Sequence, residues 1–361
     1  MAGNAPPNSR IDPLTRLLIA AALLPLAACA AGKRDIPVVP TTPAASVQAR
    51  GQTDAVGTAN ADAADDPAIW RNPANPAASL IVGTDKKAGL HVYDLTGKDR
   101  FFIDAGQVNN VDLKDMGPLG IIVAASDRND RKNAKLALFR LDTAAVKLIP
   151  LGTIPVGAGE AYGLCLMAVG NTLHAFNVIK DGTIRQVALD LSGAAPTGTI
   201  VRTMKLATQS EGCAADDRTQ RLYVGEENVG LWRFDARADG PVAGTLIAPA
   251  DGQKLVVDVE GVTLAPEGTG NGGYVIVSSQ GDHAYTVYRL SDDSYVGRFR
   301  IAAGSTIGAT EETDGIDFAP GDFGLTYPGG LFVAQDGYNP PYAQNFKYVA
   351  WADIKAALGI E

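Results

Sequence analysis

Residues 211–214 read Glu211-Gly212-Cys213-Ala214, residues 260–264 read Glu260-Gly261-Val262-Thr263-Leu264, and residues 314–318 read Asp314-Gly315-Ile316-Asp317-Phe318. In each, an acidic residue leads into an apolar run. The same device recurs upstream, with an acidic residue or its equivalent in the lead, as Asp65-Asp66-Pro67-Ala68-Ile69-Trp70, Asn110-Val111-Asp112-Leu113 and Glu160-Ala161-Tyr162-Gly163-Leu164. Taking positions 66, 112, 162, 211, 260 and 314, the steps are 46, 50, 49, 49 and 54 residues. A self-similar period of this length marks a repeat architecture.

Working outward, each lead segment is followed by a second apolar run and a polar loop: LIVGTDKKAG (80–89), IIVAASDRND (121–130), LHAFNVIKDG (173–182), LYVGEENVG (222–230), YVIVSSQGD (274–282) and LFVAQDGYN (331–339). A third run follows each loop, from LHVYDL (90–95) to FKYVAW (346–351). These runs are rich in β-branched and aromatic residues and are bounded by Gly or Asp, so they read as strands. Three or four antiparallel strands, six times over, predict an all-β, six-bladed β-propeller. A β-sandwich would not explain six equivalent segments. The last repeat lacks sequence for an outer strand, and the stretch after Ser46 is expected to supply it, because sheet edges need cover.

In such a meander the lead segments and the second loops share one face. Repeats one to three offer Lys86, Lys87, Arg128 and Lys180 there; repeats four to six offer Glu226, Glu227, Gln280, Asp282 and Asp336. One half of the face is expected to be basic, suited to phosphate or carboxylate groups. The other half, with its ring of Asp and Glu, suits hard cations such as calcium. Converging carboxylates raise one another's pKa values or recruit a cation.

The chain has 361 residues, with 31 Lys+Arg against 40 Asp+Glu, a net charge of −9. That argues against a nucleic-acid partner, which needs a basic face. Residues 17–28 form a short apolar core behind Arg10 and Arg16 and end in Leu26-Ala27-Ala28-Cys29. This reads as a lipoprotein-type export signal over 1–28, with Cys29 lipidated after cleavage. Cleavage removes Arg10, Arg16 and Asp12 and leaves a mature charge of −10. Residues 29–53 read as a tether and 54–361 as the propeller domain, exported, anchored only through its lipid, and monomeric. Three Cys make no disulfide framework, and Cys165 and Cys213 read as buried free thiols.

Familiar phosphatase and nucleotide motifs are missing: no Arg-His-Gly, no G-x-x-x-x-G-K-[ST] loop and no G-x-S-x-G elbow. Cys213 and Arg218 are spaced one residue short of a C-x5-R phosphate loop. The run Gly268-Thr269-Gly270-Asn271-Gly272-Gly273 reads as a β-turn, and His91, His174 and His283 read as structural. Attack by metal-activated water on a phosphoester remains.

Asp65-Asp66-Pro67-Ala68-Ile69-Trp70, Lys86-Lys87-Ala88-Gly89-Leu90, Asn109-Asn110-Val111-Asp112, Glu211-Gly212-Cys213-Ala214-Ala215-Asp216-Asp217, Gly225-Glu226-Glu227-Asn228, Asp258-Val259-Glu260-Gly261, Ser278-Ser279-Gln280-Gly281, Thr313-Asp314-Gly315-Ile316-Asp317 and Phe332-Val333-Ala334-Gln335-Asp336-Gly337 closely resemble the motifs of beta-propeller phytases. The resemblance covers about residues 54–355. It implies a calcium-dependent hydrolase of phytate, myo-inositol hexakisphosphate, with a cleavage site and a neighbouring affinity site. By motif it implies that Tyr162, Glu211, Glu227, Asp258, Glu260, Gln280 and Asp314 hold catalytic calcium ions or the water they activate. Asp65 matches a further acidic position of that cluster. Lys86, Arg128 and Lys180 match phosphate contacts, with Lys87 beside them. Gly308 and Tyr338 stand where the family commonly has carboxylates holding a structural calcium, so that ion is expected to be absent or rearranged. The alternatives are a non-catalytic propeller that binds phosphorylated ligands, or a broader phosphoesterase on the same scaffold.

Overall fold

In a computed structural model of the chain, Met1 and residues 42–361 are described. Residues 2–41, which include Cys29 and all but the first residue of the stretch read as an export signal, lie outside the described residues. Among the latter, six small sheets succeed one another along the chain. Their innermost strands are Ala64–Trp70, Val108–Asp115, Ala161–Val169, Ser210–Asp216, Val259–Glu267 and Ile316–Pro320. Each innermost strand lies against the next, and Ile316–Pro320 lies against Ala64–Trp70, so the ring is closed. The protein is a six-bladed β-propeller, as the repeat predicts. Second strands such as Leu80–Asp85 and Gly330–Asp336 are buried along their whole length, because both faces pack on neighbouring blades.

The ring closes through the N-terminal segment. Gly51–Gln52 pairs with Asn345–Ala350 and forms the outer strand of blade six. Ala45–Gln48 adds a fifth, parallel strand to blade five. The tether reading of 29–53 is therefore corrected over residues 45–52. Outer strands expose a row of unpaired N–H and C=O groups, and this segment covers two of those edges. A C-terminal helix, Trp351–Leu358, seats Trp351 and Ile354 beside blade six.

Two local devices set the axis. Five of the six innermost strands carry a register shift near their start, as between Ser210 and Cys213 or between Val259 and Val262. Such a bulge re-aims the residue within it. The glycine after the lead residue then lets neighbouring backbones touch. A Cβ on Gly163 would lie 1.9 Å from the Glu211 carbonyl, on Gly212 2.3 Å from that of Glu260, and on Gly261 2.5 Å from that of Asp314. The Glu-Gly and Asp-Gly pairs of the repeat are thus a steric requirement of the ring.

Aspartates below this level clasp adjacent blades. Asp66 accepts the Val111 N–H at 3.0 Å, Asp112 the Leu166 N–H at 2.7 Å, and Asp317 the Ile69 N–H at 2.8 Å. At the junction of blades three and four, Cys165 and Cys213 form a disulfide, with Cα atoms 5.6 Å apart. The reading of these residues as free thiols is corrected. Their separation of 48 residues is about one repeat, which puts them on adjacent innermost strands.

Candidate active site

The lead residues and second loops do share one face. Ligand oxygens of Glu211, Glu227 and Glu260 lie within 4.8 Å of one another, and all three residues are buried. Burial raises the Glu211 and Glu260 carboxyls well above the ordinary range, and neighbouring carboxylates raise them further. Burial also raises Glu227, to which the charge of Asp258 adds. Asp314 is pushed up to about 8 by burial, against the lowering effect of Lys86. The Tyr162 phenol is raised by burial and then by Glu211.

The basic residues do not form a separate half. The Lys86 ammonium sits 3.0 Å from Asp65, 2.7 Å from Asp314 and 2.8 Å from Asp62. Burial alone would lower it, but these carboxylates hold its pKa raised. Gln280 donates to the other oxygen of Asp314. Arg128 bonds Asn109 and Glu160, and lies over the Tyr162 ring. The Lys180 ammonium is 4.7 Å from the centre of that ring. Lys87 is exposed and is not drawn into the cluster.

The acidic half is likewise narrower than expected. Glu226 accepts from Thr208 and from the Trp232 indole; Asp282 pairs with the buried Arg298; Asp336 pairs with the buried Lys347. These three are structural, because their side chains turn into the blades. Sequence reasoning assigned no role to Asn109, yet its side chain is buried and donates to Glu211 at 2.6 Å while accepting from Arg128. Aligning the repeats on Glu211 puts Asn109, not Asn110, in the lead position, which was the available signal.

A cation fits this site. Asp65 Oδ2, Glu227 Oε1 and Glu260 Oε2 are buried and have no hydrogen-bond partner. A buried oxygen left in that condition is costly unless something positive meets it. The set offers oxygen only, which selects a hard cation over zinc or copper.

Fold and site together define a β-propeller whose axial face gathers buried carboxylates, cations and a tyrosine. A family model for phytases matches residues 14–361. The chain is also 39% identical to the 3-phytase of Bacillus subtilis (strain 168) over 331 residues, 87% of this chain and 85% of that protein. The chain belongs to the phytase family, and is an enzyme of that class.

Proposed function

We propose that the protein is a calcium-dependent phosphomonoesterase that hydrolyses phytate to lower inositol phosphates and inorganic phosphate. One observation carries this: the buried carboxylates of Glu211, Glu227 and Glu260 converge within 4.8 Å, Glu227 and Glu260 keep unpartnered oxygens there, and Lys86, Arg128 and Lys180 flank them. Asp65, Tyr162, Glu211, Glu227, Asp258, Glu260, Gln280 and Asp314 are the groups that would hold calcium. Calcium held there supplies positive charge for the phosphate and lowers the pKa of a water.

The chain's own residues do the rest. Arg128 and Lys180 stand beside Tyr162 and orient a phosphoryl group through charge-assisted bonds. Asn109 ties the Arg128 guanidinium to the Glu211 carboxylate, so substrate contact and metal ligand keep a fixed spacing. Lys86 balances Asp65 and Asp314, and with calcium held by those residues it would be free to bind phosphate. Lys87 extends the cationic rim in solvent.

Near Tyr338 the Lys347 ammonium is bound by Asp336 at 3.0 Å, Gln52 at 2.7 Å, Asn345 at 2.9 Å and Asn339 at 3.2 Å. This supports the reading that the structural calcium expected there by resemblance is absent or rearranged. We also propose export under the signal at 1–28, lipidation of Cys29 and function as a monomer, with no nucleic-acid partner. A disulfide persists in an oxidising compartment, which supports export.

Phosphate release from phytate, measured with millimolar calcium at neutral pH and again in chelator, tests the main proposal. Release with calcium and loss in chelator are expected. No release with calcium would refute it, and equal cleavage of simple phosphodiesters would favour the broader phosphoesterase.

A further inference from the structure

Three junctions of the ring are clasped by an aspartate carboxylate that accepts a backbone N–H of the next blade. Aligned on the lead residue, Asp112 and Asp317 occupy the fourth position of their segments: Asn109-Asn110-Val111-Asp112 and Asp314-Gly315-Ile316-Asp317. Blade three reads Tyr162-Gly163-Leu164-Cys165, so Cys165 stands where those aspartates stand. Its partner across the junction is Cys213, in the third position of Glu211-Gly212-Cys213-Ala214.

The bond therefore stands at the position where other junctions have an aspartate clasp, and it adds to the clasp this junction makes further along, where Asp217 accepts the Ala168 N–H at 3.0 Å. It lies three residues after Tyr162 and two after Glu211. Both cysteines are buried. The two backbones already meet at this step, since Gly163 packs on the Glu211 carbonyl.

We propose that the Cys165–Cys213 bond is a positioning cross-link for the metal site: it sets the spacing of Tyr162 and Glu211, so that the site binds calcium tightly only in the oxidised chain. The inference rests on the calcium reading given above. Forming the bond removes two electrons and two protons from the thiols. The acceptor is a protein or small-molecule disulfide, which is released as the dithiol. Bond formation is thereby coupled to passage into an oxidising compartment.

The test uses the full exported chain and calcium alone as the probe. Thiol labelling of the denatured, unreduced protein should find neither Cys165 nor Cys213 free; finding both free overturns the inference. Calorimetric titration of the Cys165→Ala/Cys213→Ala double variant should show calcium affinity weakened about tenfold, the low end for loss of a group that orients a metal ligand. Its kcat at saturating calcium should stay within about threefold of the parent, since no ligand is removed. The Cys165→Asp/Cys213→Ala variant restores a carboxylate clasp and should recover calcium affinity without any disulfide.

A double variant that melts lower but binds calcium as the parent does reduces the bond to a staple and overturns the inference, while the calcium reading stands. Should the double variant fail to fold, the same titration on parent protein reduced by a phosphine decides the matter by the same criterion. A parent chain that binds no calcium removes the calcium reading itself, and this inference with it.

Discussion

At the scale of single residues, the site is a set of groups held in unfavourable protonation states by burial. Glu260→Gln replaces one of three converging carboxylates with a neutral isostere. Phosphate release should fall by about 10²–10³-fold, the loss typical when a group stabilising transition-state charge is removed. In chelator, the same variant should melt at a higher temperature than its parent, because a buried charge conflict is gone. Activity assays and melting curves on one preparation check both halves. Asp314 makes a second prediction. Its pKa of about 8 lies above that of an unfolded aspartate, so the folded, ion-free chain binds more protons than the unfolded chain between about pH 4 and 8. Stability of the ion-free chain should fall as pH rises through that window. On the calcium reading proposed above, the ion would displace those protons, so binding at pH 7 should release acid and tighten as pH rises. An unbuffered titration followed by electrode should show the release; a flat trace would contradict the assignment.

At the scale of elements, the bulge and glycine at the head of each innermost strand matter more than the strand's apolar content. Gly261→Ala should cost roughly 1–3 kcal/mol in urea unfolding, as overpacking does, since the added methyl meets the Asp314 carbonyl. It should also weaken calcium binding, because the backbone that must move carries Glu260 and Asp314. The N-terminal strands make a separate prediction. Deleting residues 42–53 uncovers the outer edges of blades five and six and removes the Arg50–Asp353 pair. The truncated chain should melt lower and aggregate at high concentration, with its calcium affinity little changed, as light scattering and titration would report. Sequence reasoning foresaw edge cover for blade six but not for blade five, since nothing local to Ala45–Gln48 marks it as a partner of Tyr295–Ala302.

At the scale of the whole molecule, the net charge of −9 takes on a different meaning. Many carboxylates lie in internal pairs, such as Asp336 with Lys347 and Asp282 with Arg298. Among the described residues, three of the four buried carboxylate oxygens without a hydrogen-bond partner, those of Asp65, Glu227 and Glu260, belong to the site. Saturating calcium should therefore stabilise the chain by about 4 kcal/mol at a thousand-fold excess over Kd, through linkage alone. Chelator should reverse this while far-UV circular dichroism stays that of a β protein. Loss of β structure in chelator would mean that the ion holds the fold rather than the site.

The repeat in the sequence by itself determined the propeller, its blade number and, to within a residue or two, where each innermost strand begins. Those follow from local pattern: strand period, turn residues and a fixed recurrence. Tertiary structure alone decided which charges meet. Lys86, read as part of a basic half, lies between Asp65 and Asp314, and Asn109 joins Arg128 to Glu211. It also decided that Cys165 and Cys213 are bonded. The physical reason is ring closure. It brings residues about one repeat apart on neighbouring blades, or at opposite ends of the chain, within a few ångströms. Side-chain burial then selects partners that no local pattern records.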